Sequence, residues 1–140
     1  AEKVAGNEEA IVLIHDGARA FVTVEVIKRA LQSTAEHGSG VASIAVSDTI
    51  KRVHADDSIA ETLDRSALRA MQTPQAFRVA DIKKAHAIAD ADGYIGTDDA
   101  SLLEHAGMPV YLSEGDLRNI KLTTTFDVLL AGAILEDMES

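Results

Sequence analysis

Ile11-Val12-Leu13-Ile14-His15-Asp16-Gly17-Ala18-Arg19 decides how this chain is read. Four apolar residues in a row, three of them β-branched, predict a strand buried on both faces. The run stops at His15-Asp16-Gly17. A carboxylate at the C-terminal tip of a buried strand, with a glycine that lets the backbone turn, stands where open α/β sheets hold their ligands. Arg19 follows three residues later, within reach of the same anionic ligand.

Working outward, Thr23 is placed to cap a helix with Val24, Ile27, Ala30 and Leu31 on its apolar face, and Gly38 to stop it. Val41–Val46 is then a second buried strand. Strand, helix and strand with short connections predict a βαβ unit, and therefore a parallel sheet. Thr49–His54 and Ser58–Leu63, separated by the polar turn Ala55-Asp56-Asp57, predict a hairpin projecting from that body. Its free edges need a partner, which makes it a candidate dimer arm. Thr73, ahead of Pro74, is held extended. Val79–Asp92 has the spacing of an amphipathic helix with Val79, Ile82, Ala85 and Ala89 inward and Gly93 as its stop. Thr97 is placed to cap a helix over Asp98–Ala106, with Gly107 ending it. Pro109–Leu112 reads as a short edge strand and Asn119–Leu122 as an extended piece. Thr124 or Thr125 is placed to cap the last helix, Phe126–Met138, with Val128, Leu129, Ala131, Ile134 and Leu135 as its apolar face. Residues 1–10 are polar and predict a loop.

The composition bounds what this body does. At 140 residues, 46% apolar and 26% charged, the chain has the make-up of one globular domain. A formal net charge of −10 argues against general binding to nucleic acid or anionic membranes. No apolar run approaches the roughly 18–20 residues that span a bilayer. With no signal-peptide pattern at Ala1-Glu2-Lys3, the expected compartment is the cytoplasm. The absence of cysteine excludes disulfides, thiolate metal sites and a Cys nucleophile. The five histidines have no metal-ligand spacing, and neither a phosphate loop nor a nucleophile elbow occurs.

Taken residue by residue, the chemistry stays open. Asp16 suits a divalent cation or a substrate hydroxyl, and equally a turn cap. Arg19 suits a phosphate, or a surface carboxylate. Arg65 and Lys121 are single cations in extended segments. Thr97 suits a capping role, or a phosphate oxygen at a helix start.

Six blocks in order narrow this: His15-Asp16-Gly17-Ala18-Arg19, Asp48-Thr49-Ile50-Lys51, Thr62-Leu63-Asp64-Arg65-Ser66, Gln72-Thr73-Pro74-Gln75-Ala76-Phe77, Thr97-Asp98-Asp99-Ala100-Ser101 and Asn119-Ile120-Lys121-Leu122-Thr123. Together they resemble the 2-C-methyl-D-erythritol 4-phosphate cytidylyltransferase family of non-mevalonate isoprenoid synthesis, from about Ile11 to the C-terminus. The resemblance implies an α/β fold, a Rossmann-like nucleotidyltransferase three-layer sandwich with a projecting β-arm at about residues 49–77. It implies a homodimer formed through that arm. The implied reaction transfers CMP from CTP to a sugar-alcohol phosphate and releases pyrophosphate, with Mg2+ as cofactor. By position, Asp16 should sit beside the cation and the CTP phosphates. Arg19, Thr73 and Thr97 should hold the methylerythritol phosphate, and Lys121 should place that phosphate as nucleophile. Arg65 should reach the neighbouring subunit's site.

Two departures accompany the resemblance. Ala20 stands where the family usually has proline. The family's N-terminal part, with its Gly-rich nucleotide loop and first strands, has no counterpart in residues 1–10. The 140 residues are therefore expected to be one partial domain, inactive alone. Two other functions fit less closely: a ribitol-5-phosphate cytidylyltransferase, which shares the nucleotide side, and a non-catalytic dimerisation module.

Overall fold

A computed structural model describes residues 9–140. The polar loop expected for residues 1–10 lies mostly outside the described residues. Six strands and four helices follow one another: β1 (Ile11–Ile14), α1 (Val24–His37), β2 (Ser39–Ala45), β3 (Lys51–Val53), β4 (Ile59–Thr62), β5 (Arg69–Arg78), α2 (Val79–Asp92), α3 (Asp99–His105), β6 (Leu112–Glu114) and α4 (Thr125–Glu139). A single 3-10 turn, Arg65–Ala67, precedes β5. No helix among the described residues is long and apolar enough to cross a membrane.

The main sheet has the order β1-β5-β2-β6. β1 and β2 run the same way with α1 as their crossover, as a βαβ unit requires. They are not neighbours, however. β5 lies between them and is antiparallel to both, while β2 and β6 pair in parallel. The expected parallel sheet is therefore mixed, and the stretch around Gln72-Thr73-Pro74-Gln75 lies in its central strand β5. A proline has no N–H to give a ladder and is excluded from most central strands. Here it falls where the ladder is already interrupted. Pairing with β1 ends at Ile14↔Gln75, and the β2 register jumps from Val41↔Gln75 to Ser43↔Met71. The Thr73-Pro74 peptide in that gap is cis.

Side chains alternate across the sheet. Val41 and Phe77 point to one face, where they meet Ile82, Ala85 and Ala89 of α2 and Ala100, Leu102 and Leu103 of α3. Gly40 points to the other face, against α1. A Cβ there would lie 2.2 Å from the Ala30 carbonyl oxygen, so only glycine allows this approach. That closeness sets how α1 is turned. Its buried residues are Val26, Ala30 and Thr34, while Val24 is exposed. The expected face was centred on larger residues; the small ones face the sheet because the backbones nearly touch.

The ends of the helices follow from local chemistry. Thr23 accepts from Val26 N at the start of α1, and Gly38 closes it in the left-handed region at φ 96°. α2 has the expected bounds, inward residues and terminal Gly93. α3 departs by one residue: Asp98, not Thr97, is its cap, with Ser101 completing a reciprocal capping box. β6 begins at Leu112, where the expected edge strand ended.

The segment read as an arm, about 49–77, divides in two. β3 and β4 pair only with each other and are exposed throughout. Residues 69–77 belong to the main sheet instead. In α4, Ala131 and Ile134 are buried, but Val128, Leu129 and Leu135 of the expected apolar face are exposed, as are Phe126 and Met138. Nothing among the described residues pairs with the outer edge of β1.

Candidate active site

The site forms where β1 runs out and β5 is irregular. Asp16 is the first carboxylate past Ile14, and both its backbone and its side chain are fixed. Its N–H donates to Thr73 Oγ1 at 3.0 Å, which joins the tip of β1 to the break in β5. Its Oδ1 accepts from Ala18 N at 3.0 Å, closing an Asx turn. That leaves Oδ2, which meets Lys121 Nζ at 2.8 Å. The Lys121 ammonium, then the Ala18 N–H and the charge of Arg19, hold the Asp16 carboxyl below its ordinary value of 3.8 against a smaller opposing effect of burial. The group is ionised at neutral pH, as a ligand for cations must be.

Lys121 comes from a loop with little regular structure, and the loop is tied down on both sides of it. Leu122 N donates to Ala18 O at 2.9 Å. Asn119 is fully buried and donates through Nδ2 to Thr73 O at 2.8 Å and to Gln72 Oε1 at 3.3 Å. The Asn119 carbonyl in turn accepts from an Arg19 guanidinium nitrogen at 2.7 Å. One residue therefore ties the Lys121 loop, the break in β5 and the Arg19 side chain together. Gln72 braces the same loop by exchanging hydrogen bonds with the Asp116 backbone. Arg19 Nε is buried with no partner. Burial pulls the Arg19 pKa below the ordinary arginine value, against the opposing pull of Asp16. The guanidinium as a whole is only partly buried, which leaves its charge within reach of an anion.

Of the expected site residues, Asp16, Arg19, Thr73 and Lys121 meet in one place. The turn that follows Thr97 is anchored to β5, where Gln75 donates to Asp98 Oδ2 at 3.0 Å and accepts from Ala100 N at 3.0 Å. Thr97 itself is exposed and makes no hydrogen bond through its side chain. Arg65 is elsewhere. It sits at the foot of the arm and donates to Ser47 O, with no contact to Asp16. Asn119, Gln72 and Gln75 carry no pattern in the sequence that marks them for the site. Polar residues in extended pieces carry no sign of burial, and only the burial of these three shows that they form the scaffold. No group of three or more His, Asp or Glu side chains among the described residues could cage a metal, so Asp16 stands as a single carboxylate.

A three-layer α/β body with clustered cations and one carboxylate beyond a strand tip places this chain among the nucleotidyltransferase-like α/β proteins. A family model described as 2-C-methyl-D-erythritol 4-phosphate cytidylyltransferase matches residues 2–137. The chain belongs to that family. It is 52% identical over 134 residues to the Bacillus licheniformis protein of that name, covering 96% of this chain and 57% of that one. The corresponding Syntrophus aciditrophicus protein is 43% identical, with 98% and 58% covered. Among solved structures, that of the Thermus thermophilus enzyme superposes with a TM-score of 0.82 at 35% identity, covering 94% of this chain and 64% of that one. The Anaerococcus prevotii 4-diphosphocytidyl-2C-methyl-D-erythritol synthase gives a TM-score of 0.83 at 30% identity, covering 90% and 58%. The chain spans about 57% of the length of the Bacillus relative.

Proposed function

We propose that this chain carries the sugar-phosphate side of a cytidylyltransferase site. In the proposed reaction, a phosphate oxygen of 2-C-methyl-D-erythritol 4-phosphate attacks the α-phosphorus of CTP. The new O–P bond forms as the bond from the α-phosphorus to the bridging oxygen breaks, and pyrophosphate leaves. The observation that carries this reading is the meeting of Lys121, Asp16 and Arg19 at one strand tip.

Two polyanions must be brought together for this reaction, so most of the catalysis is positioning and charge neutralisation. Arg19 and Lys121 supply positive charge where the chain as a whole is acidic. Lys121 is the residue that aligns the attacking phosphate, and Thr73 and Thr97 border it. The similarity to 2-C-methyl-D-erythritol 4-phosphate cytidylyltransferases supports methylerythritol phosphate over ribitol phosphate as acceptor. Mg2+ suits a site with a single carboxylate, because that ion keeps most of its shell as water and substrate phosphate oxygens. Asp16 would hold it, and the ion would offset charge on the triphosphate.

The rest of the proposal concerns what completes the site. The open edge of β1 and the exposed apolar face of α4 are surfaces that a folded protein covers. We assign that cover, and the CTP loop, to polypeptide matching the part of the relatives that this chain does not span. A second copy takes the arm, where Val53 and Ile59 are exposed on a ribbon whose strands pair only with each other among the described residues. Arg65 then serves the partner's site. A CTP-consuming enzyme of this kind belongs in the cytoplasm.

The test is pyrophosphate release from CTP and the sugar phosphate. The 140-residue chain alone should release none. Joining it to the part of the Bacillus licheniformis relative that it does not cover should restore release, and replacing Lys121 by Ala should abolish it again. Release by the chain alone, or a joined protein indifferent to Lys121, contradicts the proposal.

A further inference from the structure

His15 has a place in this site that neither its spacing nor its exposure suggests. Its Nε2 lies 3.0 Å from Arg19 O. A carbonyl only accepts, so Nε2 carries the hydrogen. In the neutral ring Nδ1 is then bare, and it lies 2.9 Å from Thr73 Oγ1. The Thr73 hydroxyl therefore donates to His15. The same oxygen accepts from Asp16 N at 3.0 Å, and Arg19 N donates to Asp16 O at 2.9 Å. These four bonds close a ring with every donor pointing the same way: Asp16 to Thr73, Thr73 to His15, His15 to Arg19, and Arg19 back to Asp16.

We propose that His15 is a positioning residue for the sugar phosphate, acting through this hydrogen-bonded ring. The inference rests on the functional reading above. The ring fixes the backbones of Asp16 and Arg19, the two residues whose side chains bear charge at the strand tip, and locks both to β5. The three bonds from Asp16 N through the Thr73 hydroxyl and the imidazole to Arg19 O run in one direction and polarise one another, and the Arg19 N–H to Asp16 O bond closes the loop through the backbone. It also uses the one hydrogen of Thr73, whose part in the ligand-free chain is thus to orient Asp16. The imidazole is needed because it accepts at one nitrogen and donates at the other, across the width of a five-membered ring.

Two half-mimics separate positioning from mere stability. His15→Asn keeps an acceptor near Thr73 but does not reach the Arg19 carbonyl. His15→Gln keeps a donor toward Arg19 but offers Thr73 no acceptor in place. Long-range proton–nitrogen NMR of the ligand-free chain should show the Nε2–H tautomer, with the Nδ1 resonance moving when Thr73 is replaced by Val. Calorimetric titration with 2-C-methyl-D-erythritol 4-phosphate, at a temperature where all variants are folded, should show each half-mimic binding about tenfold more weakly. His15→Ala should be weaker than either. An Nδ1–H tautomer, an Nδ1 resonance indifferent to Thr73→Val, or a folded His15→Ala chain binding as tightly as the parent overturns the proposal. Failure of the functional reading looks different: the parent chain shows the assigned tautomer yet binds no sugar phosphate, which removes any ligand for His15 to position.

Discussion

Lys121 Nζ lies 2.8 Å from Asp16 Oδ2, so two groups suited to ligands of opposite charge satisfy each other in the free chain. Lys121 is exposed and Asp16 only partly buried, and ion pairs open to solvent contribute little to stability. Its consequence is electrostatic. Lys121 is the first cause of the lowered Asp16 pKa. Replacing Lys121 by Met should therefore move the Asp16 carboxyl up toward 3.8, as read by carboxyl-carbon NMR titration. The sign for stability follows. A carboxyl depressed on folding stabilises fully above its unfolded value near 3.8, and loses that contribution as pH falls through the lower folded value. The parent chain should thus lose stability on acidification more steeply than Lys121→Met. An Asp16 titration unchanged by the substitution would show that the pair does not form in solution.

Asn119 is the structural centre of the site, and its loss should be felt in both stability and binding. Asn119→Ala takes the Nδ2 donor from Thr73 O, which lies partly buried, while Gln72 Oε1 still accepts from Asp116 N. The expected cost is about 1–3 kcal/mol in urea unfolding. Weaker binding of the sugar phosphate should accompany it, because the Lys121 loop is no longer tied to β5.

Two glycines make opposite predictions. Gly40→Ala places a methyl group 2.2 Å from the Ala30 carbonyl oxygen, a backbone atom that cannot turn aside. It should destabilise by about 1–3 kcal/mol or more. Gly17→Ala, at the strand tip, meets nothing within 4 Å and requires no left-handed backbone. It should change stability by less than about 0.5 kcal/mol. Thermal unfolding of the two variants checks both.

Helix α4 should be the least protected helix of the isolated chain. It buries only Ala131 and Ile134, while α2 buries Val79, Ile82, Ala85 and Ala89. Amide hydrogen exchange should therefore be faster across α4 than across α2. Addition of the covering polypeptide should slow α4 selectively. Equal protection of the two helices in the isolated chain would mean that α4 needs no cover.

How much of this was legible in the sequence varies with how local the cause is. α2 was readable to the residue, since its inward positions and Gly93 lie in one stretch. The strand tip was readable because Asp16 and Gly17 interrupt an apolar run. β5 was not recognisable as a central strand, because Gln72, Thr73, Pro74 and Gln75 carry no alternation. Their burial depends on the distant Asn119 and on Asp98. The face of α1 was misplaced because the contact of Gly40 with Ala30 outweighs side-chain size, and a helix read alone carries no sign of that contact. The apolar side of α4 was correctly seen as apolar, yet periodicity does not say what covers it. Within the site, hydrogen bonds and an ion pair bring Asp16, Arg19, Thr73 and Lys121 together from distant parts of the chain, a proximity that no single stretch carries. Nothing in the sequence pointed to the role of His15, because tautomer and partner are properties of the folded ring.

In the proposed function Lys121, Arg19 and Asp16 form the sugar-phosphate side of a transferase site. Calorimetric titration of the chain with 2-C-methyl-D-erythritol 4-phosphate tests it most directly. The prediction is saturable binding of one ligand per site, weakened at least tenfold in Arg19→Ala and in Lys121→Ala, since each loses a charged hydrogen bond. A folded chain that binds no sugar phosphate, or binds it equally well without Arg19 and Lys121, would contradict the account.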